Sequence, residues 1–474
     1  MLHKNLLLRL GWMTGLALVL LGVMQANVLQ TAKAEPAGNY ATYLPVMLNR
    51  YSSEPSIFGV QMYGDTRSSS RYFDALMGSG ADWVRVPINW GAIEPNDVSP
   101  ADYNFKSADH VVAAAHRDGG NKRLIITIHS APAWAAPGPR APLYPDALPD
   151  FAEFVGTMVE RYDGDGLADA AGSPRVQYWE FYNEPDANLD AFESGWGNDG
   201  DQYAQMLSVA YPAVKSASPE AQVVFGGIAY DWFEDQNGPF VRSFLDDVLA
   251  AGGGAYFDVM NFHAYPSFAP HWAEQGPGLL EKTQAVREKL AEYGWADKPI
   301  FITESGWHSN NPPQHPSSQQ IQAAYVVELF TQALAADVEV MIWWMLHDPG
   351  SFYWDNGLVT DDVVPLEKLA FWAYQTAVSQ LSTAEFEYRL TQAETGADDM
   401  EVYRFSDPVY NRRLYVAWLN PVNSSNIRPL SLPGSQAIVR DIIYGNAQTI
   451  VDGDGDGYVT IQVGAQPVYV EMSP

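Results

Sequence analysis

Two glutamates stand where apolar runs stop: Glu184 in Tyr182-Asn183-Glu184-Pro185 and Glu304 in Ile302-Thr303-Glu304-Ser305-Gly306-Trp307. A carboxylate at such a place is either held by partners or poised for work, because an unpaired buried charge is costly. Two carboxyl groups about 5–5.5 Å apart can share a displacement at an acetal carbon with net retention. One attacks as the anion, and the other protonates the leaving oxygen and later activates water. Electrostatics predicts the division of labour. The charge of Glu304, the nucleophile, would hold Glu184, the acid/base, protonated by like-charge repulsion until Glu304 is esterified. The bland alternative is a pair of salt-bridged glutamates.

The elements that must position these residues form a regular series. From residue 56, short apolar runs rich in β-branched residues cover 57–62, 83–88, 124–128, 176–182, 223–228, 257–262, 300–303 and 338–345. Most are continuously hydrophobic, as parallel strands buried on both faces require. Helical periodicity separates them over 109–118, 151–162, 202–216, 241–250, 279–293 and 318–336, and again over 367–381 after the eighth run. Eight strand-then-helix units predict a closed (β/α)8 TIM barrel over 56–382, with functional residues at the C-terminal strand ends. Glu184 and Glu304 then end the fourth and seventh strands. Beyond residue 383 the pattern becomes short alternating strands punctuated by Gly, Pro, Asn and Asp, which predicts a small C-terminal antiparallel β-sandwich over 383–474.

Asn183-Glu184-Pro185 after Trp179-Glu180-Phe181-Tyr182, together with Thr303-Glu304-Ser305-Gly306-Trp307, resembles the clan A retaining β-glycoside hydrolases, families 39 and 5 above all. The resemblance covers the barrel. The terminal sandwich is similar to the accessory β-domain of family 39-like members. It implies a carbohydrate substrate and no cofactor, and it implies roles for further residues. Arg85 on the second strand would orient the nucleophile, and Asn183 would meet the sugar 2-hydroxyl. His263 and Tyr265 would lie beside the nucleophile, and His129 would face the substrate. Trp343 or Trp344 would floor the sugar subsite, with Trp307, Trp134 and Trp90 adding stacking surface. Strand alternation means that only one of the adjacent tryptophans can face inward. Arg85 has a structural reading too, an internal ion pair with Glu180, and one guanidinium can serve both carboxylates.

Composition narrows the alternatives. A net charge of −30 argues against nucleic acid as a partner. Absent cysteine excludes disulfides and thiolate chemistry. Neither an H-E-x-x-H zinc motif nor a G-x-S-x-G elbow occurs, and no G-x-G-x-x-G turn follows the first strand. His308 and His315 show no ligand spacing, so no metal is expected. The acidic loops Asp163-Gly164-Asp165-Gly166 and Asp452-Gly453-Asp454-Gly455-Asp456-Gly457 hint at calcium, but the second lacks the closing Glu, and a polar hairpin turn is the preferred reading. At the N-terminus, Lys4 and Arg9 flank an apolar run over 10–24, followed by Ala32-Lys33-Ala34. This predicts a cleaved secretory signal over 1–34, a lead-in segment over 35–55 and a soluble extracytoplasmic protein with no membrane contact after cleavage. A non-catalytic carbohydrate-binding barrel and a transglycosylase are the competing functions; oligomeric state is open.

Overall fold

The computed structural model describes residues 55–63, 71–116, 122–188, 195–350 and 354–473, so the expected leader, and all of the lead-in segment except Pro55, lie outside the described residues. The eight expected runs become β1 (Phe58–Gln61), β2 (Trp83–Asn89), β3 (Arg123–His129), β4 (Tyr178–Phe181), β5 (Gln222–Val224), β6 (Met260–Ala264), β7 (Ile300–Ser305) and β8 (Val340–Trp343). They form one parallel sheet in the order β5-β4-β3-β2-β1-β8-β7-β6. Isolated parallel bridges Val224–Val259 and Ile228–Phe262 join β5 to β6 and complete the ring. The crossover helices are α1 (Phe73–Ser79), α2 (Lys106–His116), α3 (Leu148–Arg161), α4 (Gly200–Ala217), α5 (Phe244–Ala250), α6 (Leu279–Glu292), α7 (Gln319–Ala335) and α8 (Leu369–Leu381). Ser318 caps α7 by accepting from the Ile321 N–H at 3.2 Å. Sequence periodicity misses α1, whose seven residues are too few to show a helical repeat. Among the described residues no helix is long and apolar enough to cross a membrane.

Strand alternation sorts the side chains into an outer shell and an inner stack. Val84, Val86, Ile126, Ile128, Trp179 and Phe181 pack outward under the helices. Inward, Trp83, Ile125, Val224, Val259, Phe301, Val340 and Ile342 plug the lower barrel. Gly59 on β1 makes room for this plug, since a Cβ there would press into Ile342 and come within 2.9 Å of the Trp83 Cβ. Above the plug the inward positions turn polar, beginning the site.

The C-terminal region follows α8. Strands β9 (Glu385–Arg389), β10 (Met400–Asp407), β11 (Arg412–Leu419), β13 (Gln436–Asp441), β14 (Ala447–Val451) and β16 (Val468–Met472) make an antiparallel sheet in the order β14-β13-β16-β11-β10-β9, and β12 (Arg428–Pro433) pairs with β15 (Tyr458–Val463) as a separate ribbon. β12 and β14 are not evident in the sequence: one carries two prolines at its ends and the other is mostly exposed. One sheet face (Tyr403, Phe405, Leu414, Val416, Trp418) joins the barrel core, while the other (Val402, Ala417, Leu419, Val470) packs on the ribbon. At the seam with α7, Gln332 donates to Glu401 at 3.3 Å and to the Tyr403 hydroxyl at 3.2 Å. Glu401 also accepts from Tyr403 and from Asn420 at 2.7 Å. Beside them Glu328 is fully buried, with neither carboxylate oxygen partnered among the described residues. Burial, reinforced by the Glu401 charge, drives its pKa well above the usual carboxylate range. The 452–457 loop closes on its own Asp side chains, with Gly455 and Gly457 N–H groups on Asp452 at 2.7 and 2.9 Å. It joins β14 to β15, strands of different sheets, and is therefore a corner between sheets, not the expected hairpin.

Candidate active site

The polar layer above the plug is organised by Arg85, which points inward from the middle of β2 and is 1% exposed. Its guanidinium forks onto Glu180, Nε to Oε2 at 2.7 Å and Nη2 to Oε1 at 2.8 Å. It also reaches Glu304 Oε1 at 2.6 Å, Asn183 Oδ1 at 2.7 Å and Gln61 Oε1 at 2.8 Å. Arg85 thus contacts both Glu180 and Glu304. Two anions raise its pKa further above its ordinary value, although burial opposes this. Glu180 collects additional donors from Thr127 Oγ1 at 2.8 Å, the Gly227 N–H at 3.0 Å and Asn261 Nδ2 at 3.1 Å. Burial alone would neutralise Glu180, but the Arg85 charge and these hydrogen bonds outweigh it and hold its pKa below the usual value.

Glu304 reaches this layer by breaking the strand rule. The β6–β7 register shifts between Phe262 and His263, so that His263 pairs with Glu304. Thr303 nevertheless also faces inward, its hydroxyl accepting from Asn261 at 2.8 Å. A bulge thus turns two successive residues to the same side. Besides Arg85, Glu304 Oε2 accepts from the Tyr265 hydroxyl at 2.8 Å. Glu184 sits just past β4, its N–H on the Gly227 carbonyl at 2.8 Å, with φ at 46°. Non-glycine residues rarely hold that left-handed conformation, and where they do they cluster at functional sites. His263 Nδ1 lies 3.2 Å from Glu184 and 3.7 Å from Glu304. Gly227 admits this imidazole, because a Cβ there would strike its ring.

One carboxylate oxygen of each glutamate and a ring nitrogen of His263 all lie within 4.8 Å of one another. That close approach matches the short carboxyl spacing of a double displacement. The profile of the cellulase family, glycosyl hydrolase family 5, matches residues 46–350, more than half of the chain. The chain belongs to that family.

This family 5 member is a retaining glycoside hydrolase. Among solved structures it is similar to a family 39 glycoside hydrolase from Bacteroides cellulosilyticus WH2, with a TM-score of 0.67 and 18% identity over 88% of this chain and 81% of that one. A glucosidase from Croceicoccus marinus gives 0.59 and 17% over 89% and 96%, and a family 39 β-xylosidase from Caulobacter crescentus 0.56 and 16% over 90% and 98%. At these identities the likeness establishes the shared fold. Comparison with curated protein sequences finds no match.

Electrostatics corrects one expectation for this hydrolase. Burial raises the pKa of Glu184, but the His263 hydrogen bond and the charges of His263, Arg140 and Arg85 more than offset it, so the net shift is downward. In the free site these neighbours thus oppose the upward push expected from a nearby carboxylate. His129 is pushed down to about 4 by burial and by the two arginines, so its imidazole is neutral, with Nδ1 2.6 Å from Ser130 Oγ.

The tryptophans separate as alternation demands. Trp344 lines a cavity of about 370 Å³ together with Glu184, Tyr265 and Trp307, while Trp343 is fully buried in the outer core with its indole N–H on Asn356 O at 3.1 Å. Trp343 thus does not line the cavity. Trp90 and Trp134 are packing residues, set edge-on at 5.4 Å and both donating to Glu94. His129 instead lines a second cavity of about 450 Å³ with Tyr63, Asn89 and Asn104. Sequence reasoning missed Gln61, Thr127, Asn261 and Thr303, polar residues hidden inside apolar runs. It also missed Tyr63, whose hydroxyl accepts from the Trp344 indole at 3.0 Å and is pushed up to about 12 by burial and the Glu304 charge.

Proposed function

We propose that Glu304 is the nucleophile and Glu184 the acid/base of this hydrolase, acting on β-linked glycosides. The spacing of the two carboxylates carries the reading. Glu304, oriented by Arg85 and Tyr265, attacks the anomeric carbon as the bond to the leaving oxygen breaks, and the Glu184 proton passes to that oxygen. Glu184, now the anion, removes a proton from water; the water oxygen takes the anomeric carbon and the bond to Glu304 breaks. With the Asn183 carbonyl oxygen engaged by Arg85, its amide N–H is what it can offer the sugar 2-hydroxyl. Trp344 floors the reacting ring. Because Glu184 lies below the usual range in the free site, kcat/KM is expected to rise toward acid pH. The β-linkage rests on the likeness of the two glutamate motifs to clan A. A panel of 2-deoxy-2-fluoro-β-glycosyl fluorides tests the assignment by trapping the ester. Mass spectrometry should find the sugar on Glu304; a label on any other residue sinks the reading.

The charged, apolar and small-residue order of residues 1–34 further supports export with cleavage after Ala34. The secreted protein should begin at Glu35, and an intact Met1 in the culture medium would refute this.

A further inference from the structure

The peptide link between Asn183 and Glu184 is held at both of its polar atoms. On one side the Glu184 N–H donates to the Gly227 carbonyl, just beyond β5, at 2.8 Å. On the other, Arg140 Nη2 donates to the Asn183 backbone carbonyl oxygen at 2.9 Å. The φ of Glu184, 46°, is measured from the plane of that link, so holding both atoms fixes the direction in which its side chain leaves the strand end. A left-handed glutamate persists only where its surroundings enforce that conformation. Arg140 comes from the connection between β3 and α3, and local chemistry places it. Gly138-Pro139-Arg140-Ala141 closes as a tight turn, with the Ala141 N–H on the Gly138 carbonyl at 3.1 Å and proline where its fixed φ suits a turn. The Ala131 N–H then donates to the Pro139 carbonyl at 2.9 Å, fastening the turn beside the end of β3.

Arg140 is half-buried and forms no ion pair among the described residues, although the chain has 57 acidic residues against 27 basic ones. The other charges facing Glu184 are already engaged. Arg85 from β2 is divided between Glu180 and Glu304, and Lys282 from α6 is paired with Asp231. His263 from β6 lies against both glutamates, and Tyr265 just past β6 holds Glu304. Asp186, on the connection that follows Glu184, accepts the N–H groups of Ala229 and Tyr230 at 3.0 and 2.8 Å. Arg140 therefore brings Glu184 a positive charge that no carboxylate partner shares. We infer that Arg140 is a positioning residue for the acid/base, aiming the Glu184 carboxyl at the leaving oxygen by pinning the peptide that precedes it. The inference rests on Glu184 as the acid. The same guanidinium favours the Glu184 anion, and so limits the pH range over which the carboxyl keeps the proton it must donate.

The test uses the full chain and two β-glycosides of one sugar that the wild type turns over. Dinitrophenolate departs with little help from an acid, whereas phenolate needs the proton. Arg140→Met should lower kcat/KM on the phenyl glycoside about 10- to 100-fold more than on the dinitrophenyl glycoside, as expected for a charge-assisted hydrogen bond acting through general acid catalysis. Arg140→Lys, which keeps the charge and a donor, should restore most of that ratio. Removing the cation favours protonated Glu184, so in Arg140→Met the basic limb of kcat/KM should move to higher pH. Equal losses on the two glycosides, or a basic limb that stays in place, overturn the inference. Glu184→Gln isolates the reading beneath it. That variant should also fail selectively on the phenyl glycoside; equal losses there remove the acid assignment itself, and the role of Arg140 falls with it.

Discussion

Two buried carboxylate clusters sit in this molecule, one at the barrel mouth and one at the seam between α7 and the terminal sheet, and they resolve the same electrostatic problem in opposite ways. At the mouth Glu180 is surrounded by donors: a forked guanidinium, a hydroxyl, an amide and a backbone N–H. There the charge survives burial. At the seam Glu328 has no partner among the described residues and a carboxylate neighbour, so burial pushes its pKa well above the usual carboxylate range. Depth alone therefore does not fix the state of a carboxyl group; the donors around it do. Only the first arrangement leaves an anion in place to work with.

The largest test of that contrast is on chemistry. Glu304→Ala should reduce kcat by about four orders of magnitude or more on an aryl glycoside while circular dichroism and unfolding remain close to wild type. Residual turnover near wild type would mean that the mouth cluster is merely structural. Next comes stability at the mouth. Glu180→Gln strips Arg85 of its bidentate partner and should cost about 3–5 kcal/mol in urea unfolding. Its pH dependence follows from the lowered folded pKa. The unfolded group binds protons more readily, so the Glu180 contribution is complete above the ordinary carboxylate value and is lost as pH falls through the depressed one.

The seam should respond with the reverse sign and a smaller size. Glu328→Met removes an unpartnered polar group and should stabilise by about 1–2 kcal/mol at neutral pH. With the folded pKa raised, the wild type loses stability as pH climbs above the ordinary carboxylate value, so the advantage of the variant should widen toward alkaline pH. A gain that narrows with pH would show that Glu328 is charged. The smallest effect concerns His263. His263→Asn removes a hydrogen bond and a charge that lower the Glu184 pKa, leaving burial dominant, so the basic limb of kcat/KM should move to higher pH. Movement to lower pH would contradict the balance of forces described for Glu184.

The sequence made the ring and its two glutamates legible because doubly buried strands are written as unbroken apolar runs, and Glu184 and Glu304 mark where those runs end. What stayed hidden depends on register. Trp343 and Trp344 differ only in which side of β8 they occupy, and alternation assigns sides only once a neighbour fixes the phase. The bulge that turns both Thr303 and Glu304 inward leaves no trace in a single strand. Gln61 and Asn261 look like blemishes in hydrophobic runs until Arg85 and Glu180 are seen between them. The positive φ values of Tyr182 and Glu184 were equally invisible, since neither position carries the glycine that usually announces such a turn.

Arg85 is bound to two anions, and only one of them enters the proposed reaction. When Glu304 becomes an ester its negative charge disappears, and a guanidinium with a single counter-ion would be stranded deep in the barrel at that moment. Glu180 prevents this: fully buried and out of reach of the sugar, it accompanies the cation through the whole cycle. In the proposed cycle the covalent intermediate would then form without an uncompensated ion beneath it, and this permanent chaperone charge would keep its energy down.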